Sequence, residues 1–316
     1  MSSIETIIYD LDSCALNERN GIYGGNAGDK EGVTINGEYW IIKYPKTTRG
    51  MRGELPSYTS APLSEYIGSH VYKILGVDVH ETMLGIRNSK LVVACKDFCK
   101  KEGSLREIRT LKNVYNRELS QMLEERFLST SAYAVDLDEL LLHIDYNPIL
   151  KEIPSIKERF WEMFIVDIFI NNNDRNNGNW GVLYEEGIYR LAPVFDNGAA
   201  FSTKLTDRKL AEFLSNEERA ITSILNGTTV YETGGKNIRA KDILIIENEG
   251  LLKAACKVIP VIENKMHDIK RFIQSIPETK DSITICSGVR KQFYIKTMEL
   301  RLKHFLMPIY EKCLNM

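Results

Sequence analysis

The feature that most constrains this chain is a polar loop rich in asparagine, set between two apolar segments. Mostly apolar residues fill 164–170, the polar loop follows over 171–179, and a second apolar run begins at Gly181. Because every buried amide needs partners for its donors and its acceptor, such a segment is not core material. The pattern predicts a loop held between two buried elements, where catalytic side chains commonly lie.

Within this loop, Asp174 and Asn179 have the spacing D-x-x-x-x-N. Catalytic loops of protein kinases carry the same spacing: the Asp accepts the proton of the substrate hydroxyl, and the Asn binds Mg²⁺. Taken alone, the spacing fits a surface hairpin with turn-forming Asn and Asp better than a catalytic loop. The kinase interpretation therefore depends on the sequence before and after the loop.

A second acid, Asp196, follows a strand-like run over 189–195 and precedes the turn signal Asn197-Gly198. An acid at the end of a strand, beside a turn, is well placed to hold a divalent cation against phosphates. We therefore predict Asp196 as a metal ligand together with Asn179.

A lysine upstream, Lys43, is a further residue of the kinase pattern formed by Asp174, Asn179 and Asp196. The segments 33–35 and 38–43 flank Asn36-Gly37, which predicts a hairpin with a type I′ turn. Lys43 ends the run Trp40-Ile41-Ile42-Lys43, which is similar to the V-A-I-K strand whose lysine binds phosphates in kinases. The alternative is a lysine that leaves the sheet into solvent.

A glycine-rich segment precedes this hairpin, and its backbone amides could approach phosphates closely. It is neither a Walker A loop nor a strict G-x-G-x-x-G motif, and alone it fits a plain surface loop. In the context of Lys43, the predicted nucleotide-binding residues are Gly24, Gly25, Asn26, Ala27, Gly28 and Lys30.

A helix over 63–75, ending at Gly76, carries Glu65. This places Glu65 in the first turn of the helix. Glu65 either pairs with Lys43, as the corresponding acid does in kinases, or complements the helix dipole, and the sequence leaves both roles open. Strands over 79–87 and 89–95 follow. The next segment, Lys96, Asp97 and Phe98, is predicted to be the hinge that binds adenine.

After residue 98 the apolar residues recur at helical spacing, and Ser155 with Glu158 fits a capping box. The predicted helices cover 107–128, 136–144, 155–170, 208–223, 240–261, 262–275 and 289–315. This predicts an α+β fold with two lobes: a small β-rich N-lobe over 1–97 and a larger helical C-lobe over 98–316.

Composition excludes several classes of protein. With 41 basic and 43 acidic residues, the chain lacks the basic excess of nucleic-acid-binding domains, so no nucleic acid partner is expected. The six cysteines form no C-x-x-C pair, and no H-E-x-x-H zinc motif occurs. The N-terminus lacks a signal-peptide pattern, and no apolar run is long enough to span a membrane. We expect a protein made in the cytoplasm.

The chain resembles the HipA-like kinases, bacterial serine/threonine protein kinases with a bilobal fold. The resemblance lies in Asn173-Asp174-Arg175 with Asn179, in the later Asp196, and in the glycine-rich loop before Lys43. It implies Asp174 as the catalytic base, Asn179 and Asp196 as Mg²⁺ ligands, and Lys43 as the phosphate-binding lysine.

Two departures from the HipA pattern bear on function. The motif reads Asn-Asp-Arg-Asn instead of Asn-x-Asp-Arg-His, and the glycine-rich loop is not a close copy. The N-terminal subdomain through which toxin members contact partners has no counterpart, which argues against a toxin–antitoxin role. Export without a cleaved leader, including translocation to host cells, is left open.

The resulting expectation is a monomeric kinase that uses ATP and Mg²⁺ to phosphorylate Ser or Thr of a protein substrate, and that also phosphorylates itself. One alternative is a phosphoinositide-type or other small-molecule kinase with the same centre. The other is a nucleotide-binding pseudokinase that acts as an interaction module. The presence of Asp174, Asn179, Asp196 and Lys43 argues against the pseudokinase.

Overall fold

The computed structural model describes residues 6–21, 30–101, 103–124 and 135–314. The chain divides into two units, each made of three segments. Unit 1 contains residues 1–98, 197–221 and 262–300, and unit 2 contains residues 99–196, 222–261 and 301–316. The predicted lobes over 1–97 and 98–316 stay a prediction. The predicted loop residues Gly24, Gly25, Asn26, Ala27 and Gly28 lie outside the described ranges.

Unit 1 contains a five-stranded sheet in the order β1-β4-β5-β3-β2. Its strands are β1 (Tyr9–Asp10), β2 (Lys30–Ile35), β3 (Glu38–Lys43), β4 (Thr82–Arg87) and β5 (Lys90–Lys96). The pair β1–β4 is parallel, and the other pairs are antiparallel. Asn36 (φ 51°) and Gly37 (φ 80°) both have positive φ, which confirms the predicted hairpin turn.

The two faces of this sheet differ. Buried apolar side chains on one face form a cluster with the N-terminal segment: Leu11, Val33, Trp40, Ile42, Val92 and Ala94. Strand alternation turns Lys43 to the opposite face. Helix α1 (Ala61–Ile74) packs against β4 and β5. It ends in a Schellman motif, because the amides of Gly76 and Val77 bond the carbonyls of Lys73 and Tyr72.

Helix α1 begins earlier than predicted, and its start decides between the two roles predicted for Glu65. Because the helix starts at Ala61, Glu65 lies in its second turn, and the first turn contains no acid. Complementing the helix dipole is therefore the wrong explanation for Glu65, since the dipole effect is confined to the first turn.

Unit 2 is built around the buried helix α5 (Ile156–Ile170). The helices before it are α2 (Ile108–Leu111), α3 (Arg117–Glu124) and α4 (Leu137–Tyr146). The strands β6 (Leu105–Glu107), β8 (Gly181–Glu185) and β9 (Ile188–Leu191) form one sheet. A second sheet contains β7 (Val135–Asp136), β10 (Thr228–Thr233) and β11 (Lys236–Arg239).

Five further helices lie in the C-terminal part of the described chain. The helices are α6 (Asp207–Leu214), α7 (Glu217–Leu225), α8 (Glu249–Ser275), α9 (Gly288–Arg301) and α10 (Met307–Leu314). A π-helical turn at Leu302–Leu306 joins α9 to α10, and a hairpin contains β12 (Thr279–Lys280) and β13 (Ile283–Thr284). No helix in the described ranges is long and apolar enough to cross a membrane.

Several predicted helix limits were wrong, for local reasons. Asn116 and Asn216 accept hydrogen bonds from the amides of Leu119 and Arg219, so each starts a new helix inside a predicted one. Conversely, α8 runs through Pro260 without the predicted break, and it starts at Glu249 instead of 240. The capping box at Ser155 was also wrong: its side chain caps nothing, and its φ is +58°.

Candidate active site

Helix α5 delivers the asparagine-rich loop. Most of its side chains are buried, and it ends where Asn171 adopts a left-handed conformation (φ 56°). The amide of Asn172 then bonds the carbonyl of Asp167 at 2.8 Å. At the far end of the loop, Gly181 opens β8 in close contact with β6. A Cβ there would lie 2.3 Å from the carbonyl oxygen of Arg106, so the approach of the two strands requires glycine.

The centre of this loop is the fully buried guanidinium of Arg175. Its Nε and Nη2 donate to the two carboxylate oxygens of Asp167 on α5, at 2.8 and 3.1 Å. Its Nη1 donates to the carbonyl of Asn179 at 2.8 Å and also to the carbonyl of Phe195. One side chain therefore joins α5, the end of the loop and the segment that leads into Asp196.

Asp174 lies at the exposed surface of the same loop. Its Oδ1 accepts a hydrogen bond from the Asn176 amide at 2.9 Å, and its carbonyl accepts one from Nδ2 of Asn179. The adjacent Arg175 pairs with Asp167 instead. The Asp174 carboxylate is thus oriented by the loop without being neutralised by its basic neighbour.

Arg175 bonds the backbone at or next to both predicted metal ligands, at Asn179 itself and at Phe195, which precedes Asp196. Nδ2 of Asn179 donates to the carbonyl of Asp174, so Oδ1 is the side-chain atom that could bind a metal ion. Asp196 follows Phe195, is partly exposed and has a left-handed φ of 61°. An amide oxygen and a carboxylate are the oxygen donors that Mg²⁺ prefers, so this pair of residues fits the ion.

In unit 1, the predicted ion pair between Lys43 and Glu65 is present. The Lys43 ammonium lies 2.9 Å from the Glu65 carboxylate, which is only 1% exposed. Two further donors reach this carboxylate, each at 3.0 Å: Nε2 of His80 and the backbone amide of Asn197. Burial alone would raise the pKa of Glu65, but Lys43, His80 and the Asn197 amide together lower it below its usual range. Glu65 therefore stays ionised.

The remaining predicted nucleotide-binding residues also belong to unit 1. Lys30 begins β2 directly opposite Lys43 in the strand register. The side chains of the predicted hinge have partners: Lys96 pairs with Glu38 at 2.7 Å, and Asp97 pairs with Arg19 at 2.8 Å. A role of Lys96, Asp97 and Phe98 in binding adenine therefore depends on backbone groups and stays a prediction.

Sequence reasoning assigned no role to Arg175, Asp167 or His80. One signal could have identified Asp167, because it is the single acid within the apolar run 164–170 and lies on a buried helix. A buried carboxylate requires a cation or several donors, and the nearest basic residue along the chain after it is Arg175. No comparable signal existed for His80.

Comparisons with known proteins point to one family. No protein-family model matches the chain. It is 34% identical over 315 residues to the serine/threonine-protein kinase CtkA of Helicobacter pylori strain J99, covering 93% of this chain and 90% of that protein. It is also similar to the crystal structure of a Helicobacter pylori proinflammatory kinase CtkA, with a TM-score of 0.82 and 27% identity, covering 98% of this chain and 100% of that one.

A more distant likeness concerns the fold alone. HipA from the Shewanella oneidensis complex of HipA, HipB and operator DNA matches with a TM-score of 0.51 and 12% identity. That alignment covers 92% of this chain and 68% of the other. The likeness to these two structures confirms the predicted α+β, kinase-like fold.

Proposed function

Because the chain belongs to the HipA-like serine/threonine protein kinases and catalyses ATP-dependent phosphotransfer, we propose that Asp174, Asn179, Asp196 and Lys43 perform this transfer. Membership in this family confirms the prediction of a protein kinase and disfavours the pseudokinase alternative. The observation that carries the residue assignment is the clamp of Arg175, which ties the loop of Asp174 and Asn179 to the segment before Asp196.

Asp174 acts as the general base in this proposal. Its exposed carboxylate can receive the proton of a Ser or Thr hydroxyl while the hydroxyl oxygen forms a bond to the γ-phosphorus. The bond between the γ-phosphorus and the bridging oxygen breaks, and ADP leaves. The hydrogen bond from Asn176 fixes the orientation of the carboxylate. Positioning of this kind supplies much of the rate enhancement in phosphoryl transfer.

Asn179 and Asp196 hold Mg²⁺, which neutralises charge on the phosphates when it is bound. Lys43 contacts phosphate oxygens through its ammonium. Glu65 keeps that ammonium in place, because its buried carboxylate is itself fixed by two other donors. The glycine-rich loop and Lys30 complete the nucleotide contacts in this proposal.

The test is incubation of the purified protein with γ-labelled ATP and Mg²⁺, with casein as a general protein acceptor. We expect label on casein and on the kinase itself at Ser or Thr, identified by mass spectrometry. Asp174→Asn should reduce both signals about 100-fold or more. The matched control is Asn173→Ala, an exposed neighbour in the same loop, which should keep them.

A parallel reaction with phosphoinositide vesicles distinguishes the acceptors. Label on lipid without label on protein would overturn the protein-acceptor assignment while keeping the catalytic residues. Full activity of Asp174→Asn on casein would overturn the assignment of the base.

A further inference from the structure

The guanidinium of Arg175 is the most completely buried charge in the loop that carries Asp174 and Asn179. Burying a cation is costly unless it is paired and hydrogen-bonded, so the interactions that offset this cost have to be identified. The bidentate ion pair with Asp167, which is almost as deeply buried, offsets part of the desolvation cost. That pair accounts for the charge but leaves Nη1 for other partners.

Nη1 makes the contacts that bear on function. It donates to the carbonyl of Asn179, the residue proposed to hold Mg²⁺ through its amide side chain. It also donates to the carbonyl of Phe195, the residue before the other proposed ligand, Asp196. A single nitrogen atom therefore holds the backbones of both ligand-bearing segments.

The geometry of the side chain explains why arginine serves here. A guanidinium is planar, and its donors point in fixed directions, so contacts on one edge determine where the other edge points. With Nε and Nη2 locked on Asp167, Nη1 is fixed relative to α5. Lysine would keep the charge, but its single ammonium cannot serve all three segments in a fixed arrangement.

We propose that Arg175 is a positioning residue that sets the spacing of Asn179 and Asp196 for Mg²⁺, with Asp167 as its anchor. This inference rests on the proposed function of those two ligands. Partners that orient metal ligands without touching the ion typically change metal affinity about 10- to 100-fold when they are altered. Arg175→Lys should therefore weaken metal binding by about tenfold or more.

The experiment measures metal binding directly, without turnover. Mn²⁺ replaces Mg²⁺ and is titrated into protein containing a non-hydrolysable ATP analogue, with free Mn²⁺ followed by electron paramagnetic resonance. Arg175→Lys should raise the Mn²⁺ dissociation constant about tenfold or more. Kinase assays should show a matching rise in the Mg²⁺ concentration for half-maximal activity, with kcat partly recovered at high Mg²⁺.

Arg301→Lys is the matched control. Arg301 is also buried in unit 2, and it donates to the carbonyl of Ile168 and to Oδ1 of Asn171 at the start of the same loop. It contacts neither ligand-bearing segment in these bonds. Its substitution should leave the Mn²⁺ dissociation constant within about twofold of wild type. An equal effect in both variants would mean that loosening the loop at any point weakens the site, and would overturn the proposal.

A second variant separates positioning from stability. Arg175→Met leaves Asp167 buried without its cation and can unfold the protein, so it is combined with Asp167→Leu. Replacing a buried ion pair by apolar residues of similar volume is often neutral for stability. The double variant leaves no buried charge unpaired, although the carbonyls of Asn179 and Phe195 and the side-chain amide of Asn172 lose their partners. It should stay folded, as judged by a cooperative thermal transition, and bind Mn²⁺ about tenfold or more weakly. Wild-type Mn²⁺ binding in a folded double variant would overturn the proposal.

Failure of the proposed function has a different signature. If Asn179→Ala and Asp196→Ala both bind Mn²⁺ like wild type, the metal site lies elsewhere and the proposed function fails. If those two variants lose Mn²⁺ while Arg175→Lys binds it normally, only the positioning role of Arg175 fails.

Discussion

Replacing Lys43 by methionine tests whether the Lys43–Glu65 ion pair stabilises the folded protein or whether the two charges only lie close together. Breaking a buried ion pair by removing one partner costs about 3–5 kcal/mol, because the other charge stays buried. Glu65 retains the donors from His80 and Asn197, and the Lys43 side chain is 19% exposed. We therefore expect Lys43→Met to lie at the lower end, about 3 kcal/mol in the free energy of unfolding.

The second arm removes the negative charge. Glu65→Gln keeps the shape of the side chain and an oxygen for the Asn197 amide, and Lys43 can turn toward solvent. The expected cost is about 2 kcal/mol, the usual size of a lost charge-assisted hydrogen bond. In the double variant neither charge is stranded, so the total cost should be about 3 kcal/mol instead of 5, a coupling of about 2 kcal/mol.

Urea denaturation of the four proteins without nucleotide measures this cycle, provided the m-values agree. Lys73→Met, on the exposed side of α1, is the control and should change stability by less than about 0.5 kcal/mol. In the kinase assay, Lys43→Met should raise the KM for ATP and lower kcat, and Glu65→Gln should do both more mildly. Additivity of the two losses within about 0.5 kcal/mol would refute the coupling.

Three further outcomes are expected. Asp196→Ala should abolish phosphotransfer and weaken metal-dependent ATP binding in a folded protein, and an active variant at physiological Mg²⁺ would contradict its role as a ligand. Asp174→Asn should keep the rise in melting temperature given by Mg-ATP but lose about 100-fold or more in kcat, and loss of that rise would instead make Asp174 a ligand. Burial lowers the pKa of His70 to about 4, so the unfolded chain binds an extra proton between that value and about 6.5. Stability should therefore fall by about 2 kcal/mol from pH 7 to pH 5, and His70→Gln should flatten this dependence, as measured by urea denaturation at each pH.

Features encoded by neighbouring residues could be predicted from the sequence. The hairpin at Asn36-Gly37 forms because these two residues accept positive φ. The asparagine-rich loop follows α5 because an apolar run of helical length gives way to residues that cannot be buried unpaired. The pairing of Lys43 with Glu65 was one of two readings, and only the start of α1 at Ala61 removed the other.

Helix limits were less predictable, because apolar spacing alone does not show where an asparagine turns its side chain back onto the backbone. Asn116 and Asn216 do so and divide predicted helices, whereas Pro260 leaves α8 continuous. These outcomes depend on a few hydrogen bonds of about 1 kcal/mol each, which packing can outweigh.

Only the tertiary structure decided which donors or acceptors surround each buried charge. The amide that holds Glu65 comes from Asn197, 132 residues further along the chain, and His80 approaches it from the segment before β4. The order of Asp167 and Arg175 along the chain could suggest that they pair, but nothing in the sequence shows that the same guanidinium also bonds the carbonyl of Phe195. A buried charge must find partners wherever the fold places them, so these partners follow from three-dimensional packing and not from local sequence.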